Sequence, residues 1–382
     1  MRILITTDWY KPVVNGVVIS VLNLKRGLEA EGHEVRVLTL SDNVHSHRDG
    51  DVWYIRSLTA EKIYPQARIS IYMKDHCIRE ALEWKPDIVH SQCELSTFLM
   101  AKRIAKKCNA PLIHTYHTVY EDYTSYFIHS KRVGKKITKV FSKRVLDHTD
   151  AVIVPSGKVK DLLGRYNVER PIYVIPSGIR LDKYFEDNSV HGERIREELG
   201  IGPDEIILLY VGRLAKEKNI EQIFKMLADC DPGQRLMVVG GGPYLEKLIR
   251  TADKDGVADK IIFTGMVPPA NIVDYYSAGD IFVSASSSET QGLTYMEAMA
   301  SGLPILCKND DCLNDVVDNE KNGYVWDTEE EFKSYLDSLR KDKDLRKNIG
   351  DAARESMKRK FSIRTFAQSC LEVYSKALEH RA

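Results

Sequence analysis

A β-branched run from Arg2 to Thr7 leads into a loop holding Pro12, Asn15 and Gly16. Val17, Val21, Leu24 and Leu28 then recur at helical spacing, Gly32 ends the helix, and Val35 to Leu40 forms a second strand pattern. This order constrains the chain more than any other feature, because two strands joined through a helix run parallel. It predicts an α/β fold of the doubly wound kind. Further strand patterns lie at Ile88–His90, Leu112–Tyr116, Ala151–Pro155 and Tyr173–Pro176. The pattern pauses at Pro176-Ser177-Gly178 and restarts with strands at Glu205–Val211, Leu236–Val239, Ile261–Thr264, Asp280–Ser284, Pro304–Cys307 and Tyr324–Trp326. Two α/β units of similar size follow, one over 1–178 and one over 179–361, with a last helical stretch from Phe361 to His380. Parallel sheets bind ligands at the carboxyl ends of their strands, so two such units face to face are expected to enclose one cleft.

Composition narrows the class. The chain has 382 residues, 43% hydrophobic and 29% charged, which excludes disorder and collagen-like structure. It holds no run of about 18 apolar residues, so no spanning helix is expected. The seven cysteines (Cys77, Cys93, Cys108, Cys230, Cys307, Cys312 and Cys370) are odd in number, and no two form a Cys-x-x-Cys pair. This is the usage of a reducing cytoplasm, without a disulfide or zinc pattern. The first residues enter a strand at once, so no signal peptide is expected.

Five local patterns could carry chemistry. In SASSSETQGLTYMEAMASG, residues 284–302, Glu289 lies in a loop after a strand and Glu297 on the helix that Gly292 opens. Unpaired N–H groups around Gly292, Leu293 and Thr294, added to the helix dipole, make an anion site. The two carboxylates cannot favour an anion and suit sugar and ribose hydroxyls. Arg213 and Lys218 follow another strand and suit a diphosphate. Gly240-Gly241-Gly242-Pro243 has Leu245 where a dinucleotide loop needs its last glycine, so it is read as a tight turn into a helix. His117 closes a strand amid Tyr116, Tyr120, Tyr123 and Tyr126. The short DGD at 49–51 and DKD at 253–255 lack a strand-end setting and are read as solvated loops.

The fifth pattern is charge. Lys+Arg and Asp+Glu are 55 each, but residues 1–178 hold 27 basic and 19 acidic residues, and the remainder holds 28 and 36. The neutral total is therefore +8 against −8. Lys131, Arg132, Lys135, Lys136, Lys139, Lys143 and Arg144 interleave with Val133, Ile137, Val140, Phe141 and Val145. Such a basic amphipathic helix is suited to an anionic lipid surface. The competing reading is an ordinary surface helix packed on a sheet. No nucleic-acid motif accompanies it, so nucleic acid is not an expected partner.

Together these motifs resemble the retaining glycosyltransferases of family 4, which have the GT-B fold of two Rossmann-like domains facing across a cleft. The resemblance rests on Glu289 and Glu297 with GLTYMEAMASG, VGRLAKEKN at 211–219, VIPSGIRLDKY at 174–184 and NGV at 15–17. It implies an acceptor-binding domain over 1–178, completed by the C-terminal helix at about 362–382, and a nucleotide-sugar domain over 179–361. It implies donor contacts from Gly16, Arg213, Lys218, Val267, Glu289, Gln291, Gly292, Leu293, Thr294 and Glu297. His117 would lie by the transferred sugar, which makes His117, Arg213, Lys218 and Glu289 the catalytic set. A narrower resemblance to bacterial diacylglycerol glucosyltransferases rests on GVVISVLNLKRGLEAEGHEV at 16–35 and YHTVYEDYTSY at 116–126. It implies that Tyr120, Tyr123 and the basic residues Lys131, Arg132, Lys135, Lys136, Lys139 and Lys143 face the acceptor or a membrane.

The expected reaction is transfer of a hexose, glucose, from a UDP-sugar to the hydroxyl of a lipid, diacylglycerol. It would proceed with retention and with no metal or cofactor required. The place of action would be the inner face of the cell membrane, peripherally bound. With no carboxylate identified as a nucleophile on the opposite sugar face, a front-face route fits better than double displacement. Two alternatives stand beside it: an α-glycosyltransferase acting on a polysaccharide or soluble sugar, and a catalytically silent sugar-nucleotide-binding scaffold at the membrane.

Overall fold

The computed structural model describes residues 1–60, 67–121, 130–228 and 233–381, and of Lys131 the backbone only. Tyr123, Tyr126 and Cys230 lie outside the described residues. The chain divides into two compact units, Met1–Gly178 with Ile363–Ala382, and Ile179–Ser362.

The first unit is an eight-stranded sheet. Its strands are β1 (Arg2–Thr6), β2 (Glu34–Leu40), β3 (His47–Asp49), β4 (Val52–Ile55), β7 (Ile88–Ser91), β8 (Leu112–Thr115), β9 (Ala151–Val154) and β10 (Ile172–Val174). A separate two-residue hairpin pairs β5 (Leu58–Thr59) with β6 (Arg68–Ile69). The sheet order is β10-β9-β8-β7-β1-β2-β4-β3, parallel throughout except for β3 against β4. Helix α1 (Gly16–Ala30) starts where Asn15 Oδ1 accepts the Val18 N–H at 2.9 Å, the side-chain cap that the NGV sequence provides. It packs on one face together with the last helix, Ile363–Glu379, whose Phe366, Cys370, Val373 and Tyr374 are buried there. Tyr374 Oη lies 2.6 Å from His90 Nδ1 inside this layer. Helices α2 (His76–Trp84), α3 (Ser96–Cys108) and α4 (Lys131–Leu146) contribute to the opposite layer.

The second unit has six strands: β11 (Ile206–Val211), β12 (Gln234–Val239), β13 (Ile261–Gly265), β14 (Ile281–Ser284), β15 (Ile305–Lys308) and β16 (Tyr324–Trp326). Its order is β13-β12-β11-β14-β15-β16, and each described pairing is parallel. Continuous apolar runs such as IILLYV in β11 are what a sheet covered on both faces requires, and two apolar clusters do cover them. Beyond the strands expected, β3, β4 and the small hairpin are additional. The DGD at 49–51 falls at the β3–β4 turn.

Candidate active site

In the second unit the strand order reverses between β11 and β14. Loops leaving the carboxyl ends of strands at such a point diverge and leave a crevice for ligands. The loop after β11 carries Arg213 and Lys218, and the loop after β14 carries Glu289. Lys218 ends a tight turn, Lys216–Lys218, and its Nζ donates to Glu289 Oε1 at 2.5 Å. These side chains are 16% and 18% exposed, so water screens the pair only weakly. Arg213 is held by Glu217, four residues on, and Ser288 Oγ donates to the Glu217 carbonyl at 3.2 Å. The Glu289 N–H donates to Asp310 Oδ2 at 3.2 Å, which ties in the loop after β15. Three strand-end loops therefore share one polar network, and each charge fixes the position of another.

The glycine run after β12 explains how the Arg213 loop is seated. Gly240 and Gly242 have φ of 140° and 158°, and a Cβ on them would stand 2.0 Å from Gly212 O and 2.3 Å from Leu214 O. Leu214 N–H donates to Gly241 O at 2.9 Å, so the two loops lie backbone against backbone. The expected tight turn is present, and its glycines serve this close approach.

Helix α5 (Leu293–Ala300) opens at Gly292, whose φ of 74° is the left-handed conformation that favours glycine. No side chain caps this start, so the N–H groups of Leu293 and Thr294 are not occupied by a cap. Glu297 sits on the second turn and its Oε2 accepts from Tyr276 Oη at 2.9 Å. Val267 follows β13, partly buried against the core. The Gln291 side chain is buried, and its amide Nε2 lies 3.1 Å from Met296 Sδ.

In the first unit the order reverses between β1 and β7. Gly16 is the first residue of α1, on the loop from β1. His117 lies two residues past the end of β8, so it belongs to the loop and does not close the strand as expected. Its Nε2 is 2.7 Å from Gln92 Oε1, and burial, then His114, pull its pKa down to about 3. His117 is therefore a neutral imidazole at physiological pH. Tyr120 Oη donates to Glu94, and burial, then the Glu94 charge, push the Tyr120 pKa well up. Fully buried His114 places Nε2 3.4 Å from Glu94 Oε1.

Sequence reading missed Asp8, Gln92, Glu94, Glu217, Tyr276 and Asp310. Glu217 stands inside the quoted VGRLAKEKN, and Gln92 and Glu94 directly follow β7, where strand-end position was the available signal.

Helix α4 is amphipathic in an inverted sense. Gly134, Thr138, Ser142, Val145 and Leu146 face the protein. Val133, Ile137 and Val140 are 50%, 52% and 60% exposed, beside exposed Arg132 and Lys136. Lys139 and Lys143, expected to face the acceptor or a membrane, have Nζ atoms that donate to the carbonyls of Arg165 at 2.8 Å and Asn167 at 2.6 Å. The free carbonyls of a helix end claim them. Lys135 pairs with Glu121 at 3.2 Å. Among the described residues no helix is long and apolar enough to cross a membrane.

Among the described residues one group could gather a metal ion, Asp75, His76 and Cys77. Asp75 caps α2 through the Cys77 N–H, and burial pushes the Cys77 thiol up to about 12. Cap and thiol are better explained by the helix start than by an ion.

Two units of mainly parallel sheet, matched along the whole chain by solved glycosyltransferases, place the chain in the GT-B class. The fold is shared with Anabaena HepE in complex with UDP and glucose, with a TM-score of 0.77 at 16% identity, over 98% of this chain and 100% of that one. Residues 14–183 match the family described as Glycosyltransferase Family 4, and residues 192–356 match Glycosyl transferases group 1. An alpha-monoglucosyldiacylglycerol synthase of Streptococcus pneumoniae is 37% identical over 85% of this chain and 75% of its own length. Its namesake from Acholeplasma laidlawii is 32% identical over 98% and 96%. The chain belongs to glycosyltransferase family 4.

Proposed function

We propose that the chain transfers glucose from UDP-glucose to the free hydroxyl of diacylglycerol, with retention of the anomeric configuration, at the inner surface of the cell membrane. The observation that carries this reading is the Arg213–Lys218–Glu289 network at the strand ends of the second unit, in a chain 37% identical to an alpha-monoglucosyldiacylglycerol synthase.

In this reading Arg213 and Lys218 meet the diphosphate of the donor. Glu289 and Glu297 accept hydrogen bonds from the sugar and the ribose. The bond from the anomeric carbon to the diphosphate breaks as the acceptor oxygen attacks from the same face, and the acceptor proton goes to the departing phosphate. Negative charge then builds where two cations are already held by protein carboxylates, so little reorganisation is needed. The uncapped N–H groups of Leu293 and Thr294 add to the same field. His117, in the first unit, is neutral and is suited to hydrogen bonding with a hydroxyl rather than to carrying charge. No step is assigned to a metal.

The outward apolar stripe of α4 supports the membrane part. Three exposed aliphatic side chains beside cations form a surface that inserts shallowly among lipid headgroups. The test is incubation with UDP-glucose or UDP-galactose, each with diacylglycerol in anionic vesicles. Glucosyl transfer to the lipid, faster from UDP-glucose, is expected. Donor hydrolysis without lipid product, or preference for galactose, would refute the assignment.

A further inference from the structure

The first unit holds a cavity that the donor machinery leaves unexplained. Its volume is about 50 Å³, and it lies where the loops after β1, β7 and β8 meet. This is the switch point of the first sheet, the place where parallel sheets take ligands. Its polar lining comes from Asp8, Gln92, Glu94, Thr118 and Tyr120. No Lys or Arg lines it among the described residues.

Two features point to a ligand. Gln92 is 1% exposed, and its amide oxygen meets His117 while its amide nitrogen has no partner. If the amide is turned over, the oxygen becomes the orphan, so one polar atom lacks a partner in either orientation. A buried orphan of this kind costs about 1–3 kcal/mol unless something fills its valence. The second feature is Leu95, which lines the same cavity and is 51% exposed. The polar recess thus opens beside an apolar rim.

We propose that this cavity seats the hydroxyl-bearing head of the acceptor, with Asp8 as hydrogen-bond acceptor and the Gln92 amide as a second contact, and that it selects an uncharged head over a phosphorylated one. The proposal rests on the acceptor reading given above and deepens it. Asp8 Oδ1 accepts from the Thr97 N–H at 2.8 Å, and a carboxylate has lone pairs left for a ligand hydroxyl. Glu94 is anchored by Tyr120 and adds a second carboxyl group. A phosphate would meet two acidic side chains and no cation. A neutral alcohol meets acceptors, and its acyl chains have Leu95 at the exit.

The titratable groups that bear on Asp8 are Glu94 and neighbouring Cys93, with Tyr120 hydrogen-bonded to Glu94. All are acids. Burial, assisted by the Glu94 charge, raises Asp8 to about 6. Above that pH Asp8 is a carboxylate and accepts; below it the proton removes the charge. Acceptor affinity should therefore fall as pH drops through about 6.

The experiment measures binding directly, by saturation-transfer NMR on the full chain without UDP-sugar. The probes are 1,2-dioctanoylglycerol and its 3-phosphate. Wild type should bind the neutral lipid at least tenfold more tightly. Asp8→Asn keeps the Oδ1 that holds Thr97 but removes the charge, and Gln92→Leu removes the orphan amide. Each should weaken the neutral lipid roughly ten- to hundredfold, the range for one charge-assisted bond or one uncompensated polar atom. Asp8→Asn should also abolish the pH dependence. Equal binding of the two lipids, unchanged affinity in both variants, or no binding of dioctanoylglycerol to wild type would overturn the proposal. Glucosyl transfer is assayed on the same samples, and its absence alongside intact, Asp8-dependent binding would count against the enzyme reading and leave the pocket standing.

Discussion

Replacing Lys218 by Met removes a charge while keeping most of the side-chain volume. In the folded chain Lys218 Nζ is 2.5 Å from Glu289 Oε1, and the two side chains are 16% and 18% exposed. That places the pair between exposed ion pairs, worth about 0–1 kcal/mol, and buried ones, whose rupture costs about 3–5 kcal/mol. A stability loss of about 1–3 kcal/mol follows, readable by urea unfolding. The effect on catalysis should be larger. Removing one fixed group aimed at developing negative charge lowers turnover by about 10²–10³. Initial rates with radiolabelled UDP-glucose and diacylglycerol vesicles measure it. The double variant Lys218→Met, Glu289→Gln separates the two effects. It should recover part of the lost stability, because neither charge is left alone, with a coupling of about 1–2 kcal/mol. It should recover no activity, because the cation is still missing. Turnover within threefold of wild type in Lys218→Met, or strictly additive stabilities, would refute the reasoning.

Gly240→Ala should cost about 2–4 kcal/mol, because its Cβ would stand 2.0 Å from Gly212 O at a φ of 140°. It should also raise the UDP-glucose KM; an unchanged melting temperature counts against the close approach. Ile137→Ser with Val140→Ser should weaken sedimentation with anionic vesicles by roughly 30-fold or more. Wild-type binding should weaken further as salt rises; indifference to either change refutes a membrane-facing α4. Buried His90 and His117 stay neutral in the folded chain, His117 down to about 3, so unfolding takes up protons below the ordinary imidazole pKa. Their contribution to stability is present above about pH 6.5 and is lost as pH falls from there toward 3. Asp8, raised to about 6, acts the other way between about pH 4 and 6. Thermal unfolding of His117→Gln should show a shallower acid decline than wild type, and identical declines would count against a buried neutral imidazole.

Much of this was legible in the sequence for a physical reason. Parallel strands covered on both faces, such as β11 and β14, are written as apolar runs that periodicity finds. Arg213, Lys218 and Glu289 were legible because strand-end position limits what a charged residue there can do. The partners were not. Glu217 and Asp310 look like any surface acid until the loops are brought together, and Gln92 and Asp8 acquire meaning from a cavity closed by three separate loops. The amphipathic character of α4 was legible from residue spacing, with its sense open between a lipid surface and a sheet; packing through Gly134, Thr138 and Ser142 turns Val133, Ile137 and Val140 outward. His117 was placed one segment too early, because β8 ends at Thr115 and the loop begins there.

The measurement that bears most directly on the central claim is the anomeric configuration of the product. The chain is incubated with UDP-glucose and diacylglycerol in anionic vesicles, and the isolated lipid is examined by proton NMR. An α-glucosyl diacylglycerol is the predicted product, formed by wild type and lost in Arg213→Ala and Glu289→Ala. A β-glucoside, or glucose released with no lipid product, would contradict the account.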